Sequence, residues 1–242
     1  GFTYDIRYAT DNNFLKEAFY DCASCYLRPE VAAALKEANH YFCEKGYRIV
    51  LYDCYRPVSA QKKMWAVYPN AQYVANPYTS GSVHNRGAAV DLSLEKLDGT
   101  PLNMGTDFDF FGREAHIDNT SLPQEVLDNR KLLQEGLTRF GFQTIRTEWW
   151  HFNYKKNYGF EIIDFDFEFT LLTVRKENGE NVFCLPIGHI QSKGDYQSSW
   201  QPLEMNPSLI NEAKKIRQKA IDSLSIFGEK ANTLSLRACG WW

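Results

Sequence analysis

Apolar residues recur at helical spacing in some stretches of the chain and alternate in others. Val31, Leu35, Ala38 and Phe42 fall three to four positions apart behind Pro29, which suits a first helical position, and Gly46 can end the run. The spacing predicts a helix over residues 29–45. Tyr47–Asp53 follows as a strand with partial alternation, and Val58–Val67 reads as a second helix. Residues 69–87 are rich in Pro, Asn, Gly and Ser and read as loop. Ala88–Leu94 alternates around Val90, Leu92 and Leu94, which predicts a strand closed by a turn at Asp98-Gly99. The clearest helical pattern covers 121–140. There Ser121 and Gln124 form a capping-box pattern, Pro123 sits in the first turn and Gly141 ends the run. Phe142–Tyr154 is strand-like and aromatic.

After Phe160 the texture changes. Phe165, Phe167, Phe169 and Leu171 alternate strictly, Asn178-Gly179 is a two-residue hairpin signal, and Val182–Ile187 supplies a returning strand. Asn206-Pro207 caps a helix reaching about Phe227, and Glu229–Trp242 carries no clear period. These elements predict an α+β fold. Its first part is one aromatic-rich unit over 1–160, followed by a hairpin-and-helix appendage over 161–228 and an irregular tail over 229–242.

Composition narrows the function. Across 242 residues, 44% are hydrophobic and the net charge is −3. A packed core is therefore expected, and a nucleic-acid partner, which needs a basic face, is not. No apolar run approaches the roughly 18 residues of a membrane span. The sequence opens on Gly1 without the basic and apolar segments of a signal peptide, which leaves the compartment open. Of the six cysteines, Cys22 and Cys25 have CxxC spacing, but no second pair completes a zinc ribbon. Structural disulfides or buried free thiols are the better readings. The pairing expected is Cys25–Cys54, because Cys25 precedes the first helix and Cys54 ends the strand that follows it, although helix packing alone leaves free thiols as the alternative. Such a bridge implies an oxidising compartment.

Two of the five histidines sit in unusual company. One segment runs Ser82-Val83-His84-Asn85-Arg86-Gly87-Ala88-Ala89-Val90-Asp91, and another runs Glu148-Trp149-Trp150-His151-Phe152. Together they offer three N/O ligands and a spare carboxylate, the inventory of a catalytic zinc site. A single buried histidine beside an aspartate is ordinarily a structural hydrogen bond. The second histidine, arriving with Glu148, shifts the balance toward metal. Asp91 shares a strand face with the small residues Ala89 and Ser93, which leaves room beside it. Glu148 and His151 are three apart and would point to opposite faces of a regular strand, so both reach one metal only if the backbone bends at Trp149-Trp150. In Tyr52-Asp53-Cys54-Tyr55-Arg56-Pro57, Arg56 follows a strand end, where a guanidinium can stabilise a developing oxyanion; the alternative is a surface Arg paired with Asp53. His40 reads as a surface or packed residue, and His116 and His189 as loop histidines without partners.

These segments resemble the D-alanyl-D-alanine dipeptidase family, which includes the vancomycin-resistance dipeptidases. The family's SxHxxGxAxD pattern matches Ser82 to Asp91, EWWH matches Glu148 to His151, and DxYRP matches Asp53 to Pro57. Tyr8-Ala9-Thr10, Asn13-Phe14, Met104-Gly105-Thr106 and Phe108-Asp109 extend the likeness. The resemblance implies a zinc-peptidase domain with helices on a mostly antiparallel sheet, and one Zn2+ held by His84, Asp91 and His151. It implies Glu148 as general base, Arg56 as the carbonyl-polarising residue, and Tyr8, Ser82 and Asp109 as holders of a small D,D-dipeptide. The expected role is peptidoglycan turnover or glycopeptide resistance. Residues Cys22–Leu27 look more like envelope-located relatives, which favours periplasm or cell envelope over cytoplasm. The resemblance is silent on oligomeric state.

The segment after Phe160 resembles part of the formate-dependent phosphoribosylglycinamide formyltransferase, an ATP-grasp enzyme. The matching stretches are Phe165-Asp166-Phe167-Glu168, Thr170–Arg175, Pro186-Ile187-Gly188-His189, and Gly194-Asp195-Tyr196 through Ser199-Trp200-Gln201-Pro202. The magnesium-binding strands expected after Phe227-Gly228 are missing. A ligase is therefore disfavoured. A binding module that lost catalysis is disfavoured by retention of His84, Asp91, His151, Glu148 and Arg56.

Overall fold

A computed structural model describes residues 1–20, 23–155 and 159–163 with their side chains, and five later strands by their backbone. The chain divides into two compact units, Gly1–Asp164 and Phe165–Trp242.

The first unit is built on a five-stranded sheet of order β1-β2-β3-β5-β4. Its strands are β1 (Thr3–Tyr4), β2 (Tyr47–Asp53), β3 (Ala89–Lys96), β4 (Phe142–Thr144) and β5 (His151–Tyr154). β1 pairs parallel to β2, and every other neighbour is antiparallel. Three helices accompany it: α1 (Pro29–Glu44), α2 (Val58–Val67) and α3 (Gln124–Arg139). The mixed α+β class and the mostly antiparallel sheet are as the sequence implies.

β3 shows how one strand serves two purposes. Val90, Leu92 and Leu94 alternate onto one face and belong to the core, while Ala89, Asp91, Ser93 and Glu95 take the other. All seven are buried, so the strand is covered on both sides. α1 lays Val31, Leu35, Ala38 and Phe42 inward and packs on β2 and α3. Gly136 lies inside α3, where glycine costs about 1 kcal/mol relative to Ala. A Cβ there would lie 2.2 Å from the Phe42 ring, so the close approach of α1 and α3 requires its absence.

Arg130 of α3 is buried and reaches three carbonyls. Its Nε, Nη1 and Nη2 donate to Met104 O (2.8 Å), His116 O (3.3 Å) and Glu114 O (2.9 Å). Burial pulls its pKa down to about 10. The side chain thus clamps both ends of the segment that carries Asp109. Arg130→Met keeps the volume but strips carbonyls of their partners, at about 1–3 kcal/mol for each one left buried. We expect a urea midpoint lowered by an equivalent of about 2–5 kcal/mol at unchanged m. An unchanged midpoint would show the clamp to be dispensable.

Several sequence expectations need correction. The capping box at Ser121 does not form: α3 begins at Gln124 after an extended Pro123, with no side-chain cap. The Ser121 amide instead donates to Asn119 Oδ1 (3.0 Å), and Gln124 Nε2 donates forward to Asp128. Phe142–Tyr154 is two strands parted by a bent segment. His116 is buried and partnered, with Tyr73 Oη 3.4 Å from Nε2 and Arg113 Nη1 3.2 Å from Nδ1. Cys25 and Cys54 form the expected disulfide, and Cys43 is a free thiol. His40 is exposed beside Glu44.

In the second unit β6 (Phe169–Arg175) pairs antiparallel with β7 (Asn181–Phe183), β8 (Ile187–Ser192) and β10 (Thr233–Leu236), and β8 pairs with β9 (Asp195–Trp200). The strand read over 182–187 is therefore divided between β7 and β8. The tail read as irregular contains β10, whose partner lies some sixty positions earlier, beyond the reach of local periodicity. The Asn178-Gly179 turn and the helix from Asn206-Pro207 lie outside the described residues, as does the side chain of His189. No helix among the described residues is long and apolar enough to cross a membrane.

Candidate metal centre and active site

Strand register builds the floor of the site. Asp91 on β3 stands directly opposite His151 on β5, and opposite Asp53 on β2. Facing residues in antiparallel strands project to the same side, so the three side chains form a row across the sheet. A regular register would place Tyr52 opposite Asp91. An irregularity between Leu51 and Asp53 inserts Tyr52 as an extra residue and moves Asp53 into that place.

His84 comes from a single 3-10 turn, His84–Arg86, closed by Gly87 at φ +63. That left-handed conformation turns the chain at once into β3. One backbone and one side-chain hydrogen bond of His84 tie this turn to the end of β2. Arg56 N donates to His84 O (3.2 Å), and His84 Nδ1 donates to Cys54 O (2.6 Å). Asn85 adds a third, donating to Arg56 O (2.8 Å) while its Oδ1 accepts from Ser82 N (2.8 Å).

Both histidines are oriented by the nitrogen that faces away from the centre. His84 uses Nδ1 on Cys54 O, and His151 uses Nε2 on Asn153 Oδ1 (2.9 Å). Each acceptor is an oxygen, so each ring keeps its proton there and turns a lone pair inward. The inward atoms converge: His84 Nε2 to His151 Nδ1 is 3.1 Å, His151 Nδ1 to Asp91 Oδ1 is 3.0 Å, and His84 Nε2 to Asp91 Oδ1 is 3.3 Å. A tetrahedral ion with bonds of about 2.0 Å has ligand atoms about 3.3 Å apart. Three buried acceptors at that spacing, none with a proton to share, fit a zinc ion. His84, Asp91 and His151 are the metal-competent cluster among the described residues. Burial works to raise the Asp91 carboxyl, but the two imidazoles outweigh it and hold it well below the usual carboxylate range.

Glu148 stands beside this triangle, its Oε2 4.0 Å from His151 Nδ1. Residues 146–150 leave the regular strand before β5 begins, which lets Glu148 and His151 face one cleft as the sequence required. Trp149 and Trp150 are buried, and Trp149 Nε1 donates to Thr106 Oγ1 (2.8 Å). Burial raises the Glu148 carboxyl to about 7, against the opposing pull of His151.

Arg56 is buried and does pair with Asp53, through Nε (3.0 Å) and Nη2 (2.8 Å) to Oδ2. It is no surface residue, since Nη2 also lies 3.6 Å from Asp91 Oδ2 and the side chain lines the cleft. Tyr8, Ser82 and Asp109 line it too. Tyr8 Oη donates to the Asp109 carboxylate (3.0 Å), Phe14 N donates to the same group (3.3 Å), and Ser82 Oγ accepts from His84 N (3.2 Å). Asp109 adopts φ +60, an uncommon conformation for a non-glycine residue. Burial and then the charge of Asp91 raise its carboxyl well above the ordinary range.

The cleft holds about 210 Å³, below the roughly 300–1,000 Å³ of pockets for drug-sized ligands. Phe14, Tyr73 and Phe111 close part of its wall, with Phe111 stacked on Tyr73 at 4.8 Å. A small polar ligand fits, and the arrangement provides a ligand set suited to a metal, a carboxylate beside it and a fixed guanidinium. The sequence reading did not single out Asn85, Asn153 and Gln61, or the orienting carbonyl of Cys54. Their side-chain or carbonyl hydrogen bonds depend on how the backbone is aligned in the fold and leave no signal in the local residue pattern.

Two families of known proteins match different parts of this chain. A family model described as D-ala-D-ala dipeptidase matches residues 1–168. The D-alanyl-D-alanine dipeptidase of Escherichia coli strain K12 is 38% identical over 148 residues, covering 61% of this chain and 76% of that protein. A solved vancomycin-resistance D,D-pentapeptidase variant in complex with Zn(II) aligns at TM-score 0.35 and 17% identity, over 53% of this chain and 72% of its own. An ATP-grasp domain model matches residues 148–232. The formate-dependent phosphoribosylglycinamide formyltransferase of Prochlorococcus marinus strain MIT 9312 is 34% identical over 222 residues, 89% of this chain; the chain spans about half (51%) of that relative's length. With the family model covering more than half of its residues and the buried His84, Asp91 and His151 triangle suited to zinc, the chain belongs to the D-Ala-D-Ala dipeptidase family and is a zinc-dependent peptide hydrolase.

Proposed function

We propose that the unit Gly1–Asp164 hydrolyses D-alanyl-D-alanine-type dipeptides, in peptidoglycan turnover or glycopeptide resistance. The observation that carries this reading is the convergence of three buried acceptor atoms at 3.0–3.3 Å in a small cleft with Glu148, Arg56 and Asp109 on its walls.

His84, Asp91 and His151 would hold the zinc, which would supply Lewis acidity and ease deprotonation of the attacking water near neutral pH. Glu148 accepts the water's proton at a carboxylate oxygen and passes it to the leaving amine. Arg56, rigid against Asp53, donates to the carbonyl oxygen as it gains charge. Asp109, held by Tyr8 Oη and Phe14 N, receives the substrate's free ammonium, and Ser82 contributes to the wall beside it. A buried carboxylate with a raised pKa gains most from a cationic partner. An N-terminally extended peptide has no ammonium to offer there and must bury its extra residues against Asp109.

The test is turnover of D-Ala-D-Ala beside L-Ala-L-Ala and an intact muramyl pentapeptide. We expect the D,D-dipeptide to lead both in kcat/KM, and to lead the pentapeptide, which lacks the free ammonium at that position, by about 10,000-fold, the scale on which a polar site rejects a substrate without its partner group. Equal rates on the pentapeptide would refute the dipeptide reading. The Cys25–Cys54 disulfide supports an oxidising compartment, periplasm or cell envelope.

The appended residues 161–228 and 229–242 play no part in this chemistry, with one boundary refinement. Arg86 Nη1 donates to Phe160 O, Tyr55 Oη donates to Ile163 O (3.1 Å), Ile163 N donates to Asn85 O (2.8 Å), and the Ile163 side chain is buried. The catalytic unit thus needs residues through Ile163. A chain ending at Asp164 is expected to keep full kcat/KM and zinc, while one ending before Phe160 loses stability. A folded, zinc-loaded 1–164 protein without activity would show that the appendage contributes to catalysis, and ATP binding by the full chain would show that the ATP-grasp segment still functions.

A further inference from the structure

Gln61 belongs to none of the motifs above, yet it is wholly buried at the edge of the site. It lies one turn into α2, and its backbone N–H donates to Pro57 O (3.1 Å). Helical side chains point back toward the N-terminus, so the Gln61 amide group returns over Arg56. Gln61 Oε1 accepts from Arg56 Nη1 (2.9 Å), and Gln61 Nε2 donates to Ala75 O (2.7 Å). A guanidinium can only donate and a backbone carbonyl can only accept, so the two partners leave one orientation for the amide.

The consequence follows from counting donors. Arg56 has five N–H bonds. Asp53 takes Nε–H and one Nη2–H, and Gln61 takes one Nη1–H. Asp53 alone grips one edge of the fork. Gln61 adds a contact at the other nitrogen and stops the group from rotating or tilting. At its far end Gln61 holds Ala75, in the stretch Ala71–Ala75 that lines the cleft. One buried amide therefore spans the guanidinium and the cleft wall.

We propose that Gln61 is a positioning residue. It fixes the Arg56 guanidinium against the wall segment Ala71–Ala75, so that the remaining Arg56 hydrogens are presented to the substrate carbonyl. This rests on the assignment of Arg56 to that carbonyl. Gln61 touches neither substrate nor metal in this scheme and acts through Arg56.

The experiment is a double-mutant cycle on the full-length zinc enzyme, with Gln61→Met, Arg56→Ala and the pair. A misplacement of about 1 Å costs on the order of 100-fold in rate, so we expect Gln61→Met to lower kcat by roughly 10- to 100-fold with zinc content retained and KM changed less than kcat. In the Arg56→Ala background the same change should have almost no further effect on kcat. Equal losses in both backgrounds would overturn the proposal and make Gln61 a structural residue only. Gln61→Glu keeps the acceptor toward Arg56 and loses the donor to Ala75, so it serves where the Met variant folds poorly. It should retain more of kcat than Met if the Arg56 contact matters, and no more if it does not. NMR of the Arg56 side-chain N–H signals gives a readout independent of substrate: hindered guanidinium rotation in the wild type, freed in Gln61→Met. If the wild type fails to turn over D-Ala-D-Ala, the substrate assignment falls and the NMR comparison still decides the positioning claim.

Discussion

His84→Ala and His151→Ala should each yield a folded protein without stoichiometric zinc and without measurable dipeptide turnover. Each substitution removes one corner of the 3.0–3.3 Å triangle and leaves two protein ligands, where a catalytic zinc site uses three. Losing an outer-shell partner of a ligand costs about 10- to 100-fold in affinity or activity, so losing a ligand itself should exceed that range. The effect also spreads through Asp91, whose low pKa depends on the two imidazoles. With one imidazole gone, burial pushes that carboxyl upward and proton uptake competes with metal binding. Elemental analysis after dialysis checks the result. One zinc per chain retained in both variants would refute the ligand assignment.

Glu148→Gln should keep zinc and fold while lowering kcat by roughly 100- to 10,000-fold, the range ascribed to a positioned general base. The amide nearly matches the carboxylate in shape but cannot take the water's proton. The wild-type pH profile carries the same information. A base works in its deprotonated form, and burial raises Glu148 to about 7. Activity should therefore fall as pH drops through the pKa of Glu148 and the carboxylate takes up a proton. A cation on the neighbouring ligands pulls that value down, so the acid limb belongs at or below about 7. The residual activity of Glu148→Gln should lack this limb. Near-normal turnover in the variant, or an unchanged acid limb, would remove Glu148 from the base role.

The comparison of sequence with structure divides along physical lines. Tyr47–Asp53 and Val58–Val67 have the boundaries read from their spacing, because apolar period and flanking Pro or Gly act over a few residues. The α3 start was misplaced because Ser121 and Gln124 satisfy a local pattern, whereas the extended Pro123 and the Asn119 contact decide where the helix begins. His116 looked partnerless because Tyr73 is distant in sequence.

From its own residues the sequence determined the inventory: two histidines, an aspartate, a glutamate and an arginine in segments suited to a zinc hydrolase, with Gly87 and the small neighbours Ala89 and Ser93 leaving room for them. Only the tertiary structure decided how these groups meet. His84 and His151 are 67 positions apart, and their convergence depends on the pairing of β3 with β5 and on the extra residue Tyr52 in β2. The inward lone pairs depend on the Cys54 carbonyl and on Asn153, and the set of the guanidinium depends on Asp53 and Gln61. Residue type and local period are properties of neighbouring positions. Register arises from pairing between strands distant in sequence, while tautomer and side-chain direction arise from hydrogen bonds, some to near positions such as Asn153 and Asp53, that only the folded backbone aligns.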